Sequence, residues 1–278
     1  MSFEREQKPE TVWLSVSKIS DGVKCRRRLA HELNPDRTPA RSANAPFRLY
    51  RAITDAISEA HLIVQELSQA LPAAELLITA LLERRPPVEL GHEELARFNA
   101  AVAAYADSFS DSEARYVEAP TGPYRRPSAR RTWGVSGAID LRFRRPDGTT
   151  EIRKIVLGGT APHPSTPVPL PDILRFSLIG ENGFLVHLHV PTDESSPGAI
   201  ICERTVSEEM ITESRSLVRE AIDAAVDLVD GSGSDEGAPI DDPRNASPGW
   251  WCNQCTYVRG CPAVPQQTTS AIIESYQG

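Results

Sequence analysis

The sequence predicts a mixed α/β protein with an amino-terminal helical part and a small cysteine module near its carboxy end. Three observations lead there. Apolar positions up to about residue 110 recur with helical spacing. Beyond that point the apolar residues become β-branched and aromatic, in short runs bounded by Gly, Pro and Asp. Finally, three of the five cysteines fall within residues 252–261.

The elements follow in order. Residues 14–34, LSVSKISDGVKCRRRLAHELN, read as one helix beginning near Ser15 or Ser17, whose hydroxyls suit free amide groups at a helix start. Ile19, Val23, Leu29 and Leu33 form its stripe. Residues 47–71 predict a second amphipathic helix, ended by Pro72. Residues 73–84 and 91–109 predict two more, separated by Pro86, Pro87 and Gly91. ARYVEAP, RTWGVSGAIDLRF and TTEIRKIVL read as strands, the last two joined into a hairpin by RPDGT. A Pro-rich loop over 160–171 precedes a short helix or turn at 171–180 and the strands GFLVHLHVP and GAIICERTV. A helix over 207–231 follows, capped by Ser207, with Glu208 and Glu209 in its first turn and Gly231 at its end. The predicted organisation is a helical region (1–112), an α/β core (113–230), a Gly/Ser/Asp/Pro linker (231–248) and a cysteine cap (249–278). No internal repeat is visible.

Charged residues at 24% and apolar residues at 40% of 278 fit an ordinary globular protein. No stretch approaches the roughly eighteen apolar residues a membrane helix needs. MSFEREQKPE carries no apolar signal segment, so the expectation is a cytoplasmic protein, where clustered thiols indicate metal or catalysis before disulfides. A net charge of −8 excludes a whole-surface grip on nucleic acid. It leaves room for local basic grooves: Lys24 with Arg26, Arg27 and Arg28; Arg125, Arg126, Arg130 and Arg131; Arg142, Arg144 and Arg145. Taken singly, each such cluster is equally readable as a solvated face. Arg26, Arg27, Arg28, Arg130 and Arg131 are the candidate DNA contacts.

Cys252-x-x-Cys255 puts two thiols on one tight turn, and Cys261 can fold back to the same centre. A closed tetrahedral site needs a fourth ligand, for which Cys25, Cys202 and several histidines are candidates. Cys202 lies in an apolar strand and reads as a small buried hydrophobe. Cys25 lies beside Arg26–Arg28, a cationic setting of the kind that favours a thiolate, and is taken as the fourth ligand. Zinc and iron–sulfur clusters both accept four thiolates, and spacing does not separate them. No G-x-S-x-G elbow and no glycine-rich phosphate loop occurs.

This frame resembles the iron–sulfur branch of the RecB-like PD-(D/E)XK nucleases, which includes AddB-type helicase–nuclease subunits and the CRISPR adaptation exonucleases. LSVSKISDGVKCRRRL resembles that family's amino-terminal "S-x-S…C" start, with Arg26 where proline is usual. CNQCTYVRGC followed by Pro262 resembles its closing C-x-x-C-x-x-x-x-x-C, and GAID (137–140) resembles its "GriD". The resemblance spans nearly the whole chain and implies a restriction-endonuclease-like (PD-(D/E)XK) core of mixed sheet flanked by helices. It implies a [4Fe–4S] cluster on Cys25, Cys252, Cys255 and Cys261, pinning the two ends of the chain together. It also implies DNA as a partner, a helicase or nuclease as a possible second one, and work in repair, recombination or defence.

The family's chemistry needs carboxylates on Mg²⁺ or Mn²⁺ and a lysine that helps activate water. Asp140 resembles the first acid, though a strand-end aspartate reads the same way. The D-x-K element is degenerate: anchored on Gly148 and Gly158, the alignment puts Lys154 at the acid and Val156 at the lysine. A register slip would pair Glu151 with Arg153 instead, but arginine stays charged and handles protons poorly. Asp172 and Phe176 take the spacing of the family's Q-x-x-x-Y helix without its polar groups. His61 resembles the upstream histidine, and reads equally as a core histidine. Glu118 resembles an acid sometimes found before the GriD strand. The candidate catalytic residues are Asp140, Lys154 and Glu151, with Glu118, Asp172 and His61 lining a Mg²⁺ site if one is present. The leading expectation is a DNA-binding protein with lost or weakened nuclease activity. The alternatives are an active Mg²⁺-dependent exonuclease with atypical residues and a zinc-stapled interaction module without nucleic acid.

Overall fold

The computed structural model describes residues 11–34, 45–67, 73–84, 86, 89–118, 123–128, 133–158, 163, 165–190, 200–231, 240–249, 252, 255, 257 and 261–263. The order of elements is β1 (Val12–Ser15), α1 (Val16–Gly22), α2 (Arg26–Leu33), α3 (Ala45–Leu67), α4 (Ala73–Leu82), α5 (His92–Phe109), β2 (Arg115–Glu118), β3 (Tyr124–Pro127), β4 (Trp133–Gly137), β5 (Leu141–Arg144), β6 (Thr150–Leu157), α6 (Leu170–Ile179), β7 (Gly183–Val190), β8 (Ile200–Val206) and α7 (Glu208–Gly231).

Five strands form one sheet in the order β2-β5-β6-β7-β8, parallel only between β6 and β7, where α6 makes the crossover. Three form a second, ordered β1-β4-β3. This is the mixed α/β, restriction-endonuclease-like architecture that the sequence predicts. Helices α3–α5 cover one face of the larger sheet: Ile53, Ile57, Phe98 and Tyr105 pack with Leu141, Phe143, Ile155 and Val186. The other face meets α6 and the start of α7 through Ile152, Leu185, Ile173, Phe176 and Ile211. A third cluster joins α1, α2 and β1 to α6 and α7, with Leu14, Ile19, Leu29 and Ile222 fully buried. Burying each such side chain stabilises the fold by about 1.5–3 kcal/mol.

Two predicted elements are divided. The helix expected over 14–34 begins as strand β1, because Val12–Ser15 pairs in parallel with Trp133–Ser136, and that tertiary pairing outweighs the helical stripe. Ser15 does cap α1, its Oγ accepting from Lys18 N at 3.2 Å. The helix stops at Gly22, and Cys25 sits in extended conformation as the residue before α2. RTWGVSGAIDLRF divides between the two sheets. At Gly137 an added Cβ would press into Val16 and Leu178, and the chain then crosses through Ala138, Ile139 and Asp140 to β5. Strand β3 escaped prediction because its exposed YRRP lacks an apolar face. Cys202 is only half-buried, since β8 is an edge strand.

The RPDGT hairpin is present. Gly148 adopts φ +83°, where a side chain would be strained, and Asp147 Oδ1 accepts from Thr149 N at 2.9 Å. Ser207 caps α7, accepting from Met210 N at 3.2 Å. Strand β1 lies in the smaller sheet and α2 packs along α7, so both ends of the described chain contribute to one apolar cluster. Among the described residues, no helix is long and apolar enough to cross a membrane.

Candidate functional site

Strand β6 sorts its charged residues by period two. Ile152 and Lys154 face α6, whereas Glu151, Arg153 and Ile155 face α5. Two polar clusters result, one on each side of the sheet.

On the α6 side, Asp172 lies in the first turn of α6 with its side chain 1% exposed. Lys154 Nζ contacts its Oδ1 at 3.0 Å, and Arg175, one turn along the helix, donates to the same oxygen. His187, the register partner of Lys154 on β7, places Nε2 3.4 Å from Asp172 Oδ2, an electrostatic contact at the long limit of hydrogen bonding. Burial alone would raise the Asp172 carboxyl; His187, Lys154 and Arg175 together outweigh it and hold it at about 2.

Asp140 stands at the crossing between the sheets, near enough that Arg175, Lys154 and Asp172 all act on its charge. Burial pushes its carboxyl up, against a hydrogen bond from the Tyr50 hydroxyl of α3. Burial and the Asp140 charge in turn push the Tyr50 phenol up. His189, two residues beyond His187 on the same strand face, is buried with neither ring nitrogen hydrogen-bonded among the described residues. Burial lowers its pKa, and His187, Arg204 and Lys154 lower it further. The centre thus holds two carboxylates, two fixed cations and two histidines.

On the α5 side, Arg153 is 1% exposed, between the rings of Phe143 (3.6 Å) and Phe109 (4.1 Å). It donates to Tyr105 Oη and Ser112 Oγ, each at 2.8 Å, and to Glu151, which also accepts from Arg145 at 2.7 Å. Glu151 and Arg153 therefore share a strand face, but it is the face turned away from Asp140 and Asp172. Their role in the structure is a saturated internal ion pair. His61 belongs to the same side: Nε2 meets Tyr105 Oη at 2.8 Å, and its ring stacks on Tyr116. Burial and then the Arg153 charge lower its pKa to about 3. A group depressed from 6.5 to about 3 binds its proton more readily in the unfolded chain. Stability carried by neutral His61 is therefore complete above pH 6.5 and is lost as pH falls towards 3, by about 1.4 kcal/mol per pH unit. Acid titration of the urea midpoint is expected to show this slope, and His61→Phe is expected to flatten it between pH 6 and 4.

Glu118 is placed on the edge strand β2 opposite Arg142, two strands away from β6. Among the arginines expected at DNA, Arg26 is exposed and donates to Ala224 O at 2.8 Å. Arg27 and Arg28 are buried in ion pairs with Asp241 (2.7 Å) and Asp21 (2.8 Å), so their charges are used internally and not presented to phosphates. Arg130 and Arg131 lie outside the described residues.

The cysteine module docks on α2. Arg27 Nη1 donates to Tyr257 O at 3.0 Å, and His31 stacks on the Tyr257 ring with centroids 4.8 Å apart. Cys25 lies at the amino end of that helix. Burial raises the Cys255 thiol, and the Cys25 and Cys252 charges act on it in the same direction, which sets those three sulfurs in one neighbourhood. Gly249 N donates to Cys252 Sγ at 3.4 Å, and Cys255 N to Cys252 O at 3.0 Å, closing the C-x-x-C turn. All five cysteines are free thiols. Among the described residues, no three Cys, His, Asp or Glu side chains converge closely enough to grip a metal ion directly.

No protein-family model matches the chain, and no curated protein matches it. Among solved structures it is similar to that of SSO0001, at 13% identity and TM-score 0.38, over 92% of this chain and 89% of the other. It is also similar to LHK-Exo in complex with dAMP, at 13% identity and TM-score 0.33, over 66% of this chain and 94% of the other.

Tyr50, Arg175 and the two strand histidines were not singled out from sequence. The H-L-H spacing in GFLVHLHV was a usable signal, since period two sets both rings on one face. Arg175, three residues after Asp172 on a helix, was another. Tyr50 lies 90 residues before Asp140, and nothing local ties them.

Proposed function

We propose that this chain is a DNA-binding protein on a nuclease scaffold whose catalytic centre is closed by its own cations, leaving nuclease activity lost or weakened. The observation that supports it most is the environment of Asp172. Two carboxylates next to each other would ordinarily attract a divalent cation. Here Lys154 and Arg175 already neutralise them, and a Mg²⁺ ion would have to displace both from a buried carboxylate. The motif resemblance supplies the nuclease scaffold, DNA as ligand, a helicase or nuclease as docking partner, and repair, recombination or defence as setting.

Cys25, Cys252, Cys255 and Cys261 would hold a [4Fe–4S] cluster, with zinc as the alternative. The donor set fits either: free, half-buried thiols beside backbone amides and the Arg28 charge. The Cys25 and Cys252 charges act on Cys255, and either metal accepts such a thiolate set. The cluster would supply a structural cross-link.

One observation favours a second reading. Asp140, Asp172 and Lys154 are two acids and a lysine in mutual reach, the residue types a Mg²⁺-dependent nuclease uses, although drawn from different positions. Labelled single- and double-stranded DNA incubated with Mg²⁺ or Mn²⁺ separates the two. Binding without hydrolysis is expected, with Asp140→Ala indistinguishable from wild type. Cleavage that Asp140→Ala abolishes would establish the active enzyme instead.

A further inference from the structure

A cleft of about 480 Å³ opens on the far side of α6 from Asp172, between β3, β4 and α7. Its floor is apolar: Trp133, Val135, Leu174 and Val218. Its rim carries the guanidinium groups of Arg126, Arg215 and Arg219 against a single carboxylate, Asp223, in a chain of net charge −8.

The arginines are arranged unusually. Arg126 Nη1 donates to Ser177 O at 3.1 Å, and Arg215 Nη2 donates to the same carbonyl at 3.2 Å, with Arg215 Nε fixed on Ser177 Oγ at 2.8 Å. Two like charges are thereby held side by side at one oxygen. The exposed Glu208 lies 3.9 Å from Arg215 Nη1, and no carboxylate among the described residues pairs with Arg126. Arg219, one helical turn from Arg215, meets no carboxylate among the described residues, and the buried Ser128 hydroxyl on the same wall has no hydrogen-bond partner there. Paired guanidiniums with one loose, exposed counter-ion still repel each other, and an anion between them converts that repulsion into charge-assisted hydrogen bonds. Apolar and aromatic lining beside three guanidinium groups fits a body with an aromatic face and an anionic tail.

We infer that this cleft binds one nucleotide unit of single-stranded DNA, its base on the floor beside Trp133 and its phosphate between Arg126, Arg215 and Arg219. The inference rests on the DNA-binding reading above and gives it a location. Stacking supplies affinity for any base, and the arginines supply a salt-dependent component without sequence preference.

The test uses the full chain and a fluorescein-labelled oligothymidylate of about 20 nucleotides. The double variant Arg126→Gln/Arg219→Gln changes two exposed side chains, and its fold is checked by circular dichroism. Expected are about tenfold weaker binding and a shallower dependence on salt, by about one to two phosphate contacts. A bromouracil-substituted oligonucleotide, irradiated in complex, is expected to crosslink to the peptide containing Trp133. Unchanged affinity in the variant, with crosslinks mapping elsewhere, overturns the inference while leaving DNA binding intact. Failure of wild type to bind the oligonucleotide, with thymidine monophosphate still quenching Trp133, keeps the cleft as a free-nucleotide site and overturns the DNA reading. Failure of both overturns both. Displacement of the oligonucleotide by polyglutamate at equal charge assigns the cleft to an acidic peptide, against this proposal.

Discussion

Asp172→Asn is expected to lower stability by about 3 kcal/mol, read as a shift of the urea midpoint at unchanged slope. Asparagine keeps the shape of the side chain but removes the charge that Lys154 and Arg175 contact directly, leaving only Asp140 nearby. The figure is taken at the low end for a broken buried pair, because those two cations keep side-chain exposures of 28% and 14% and some contact with water. The pH dependence provides a second reading of the same interaction. The Asp172 pKa is depressed from 3.8 to about 2, so its stabilisation is complete above pH 3.8 and disappears as pH falls through 2. That amounts to roughly 2 kcal/mol in wild type and to nothing in the variant. If both proteins lose stability identically between pH 4 and 2, the ion cluster around Asp172 is not what holds α6 to the sheet. A double-mutant cycle with Lys154→Met isolates the direct pair, with a coupling of about 1 kcal/mol or more expected.

If Cys25 is a ligand of the proposed metal centre, Cys25→Ser is expected to empty it and release the carboxy-terminal module. Anaerobically purified wild type is expected to be brown, to absorb broadly at about 400 nm, and to contain about four irons and four sulfides per chain. The serine variant should be colourless. Without the cross-link, the contacts that remain among the described residues are those of Arg27 and His31 with Tyr257 and, just before the module, with Asp241. Limited proteolysis after residue 231 should then proceed at least tenfold faster, whereas the α/β core stays resistant. Full metal content and unchanged protection in the variant would remove Cys25 from the ligand set. A colourless wild type carrying zinc would reassign the clasp to that metal.

Much of the scaffold was legible because its signals are local. The stripes of α3, α5 and α7, the cap at Ser207 and the Asp-Gly turn at 147–148 are all set within a few residues. Strand β1 was not legible, since Val12–Ser15 becomes a strand only by pairing with a partner 121 residues on. Of the candidate site, Asp140, Lys154 and Asp172 were identified and stand together, although their roles were drawn from motif alignment and not from contacts. Glu151 and Arg153, two residues apart on β6, share one strand face. Which face could not be read, because both sides of β6 are buried and its pattern carries no alternation. Arg27 and Arg28 looked like surface cations; Asp241 and Asp21, which absorb them, declare no partnership in the sequence.

The interleaving of the chain's two halves has a consequence for how it is made. Leu14 bonds with Ser136, 122 residues downstream, and Arg26 with Ala224, 198 downstream. Leu14, Ile19 and Leu29 therefore wait for about two hundred further residues to be made before Val218, Ile222 and Ala225 cover them. During vectorial synthesis those side chains remain open to chaperones, and a nascent chain stalled before α7 would be an aggregation hazard and a degradation substrate. If the thiols take up the proposed metal, Cys25 and Cys255 come together only after all of the chain between them has been made.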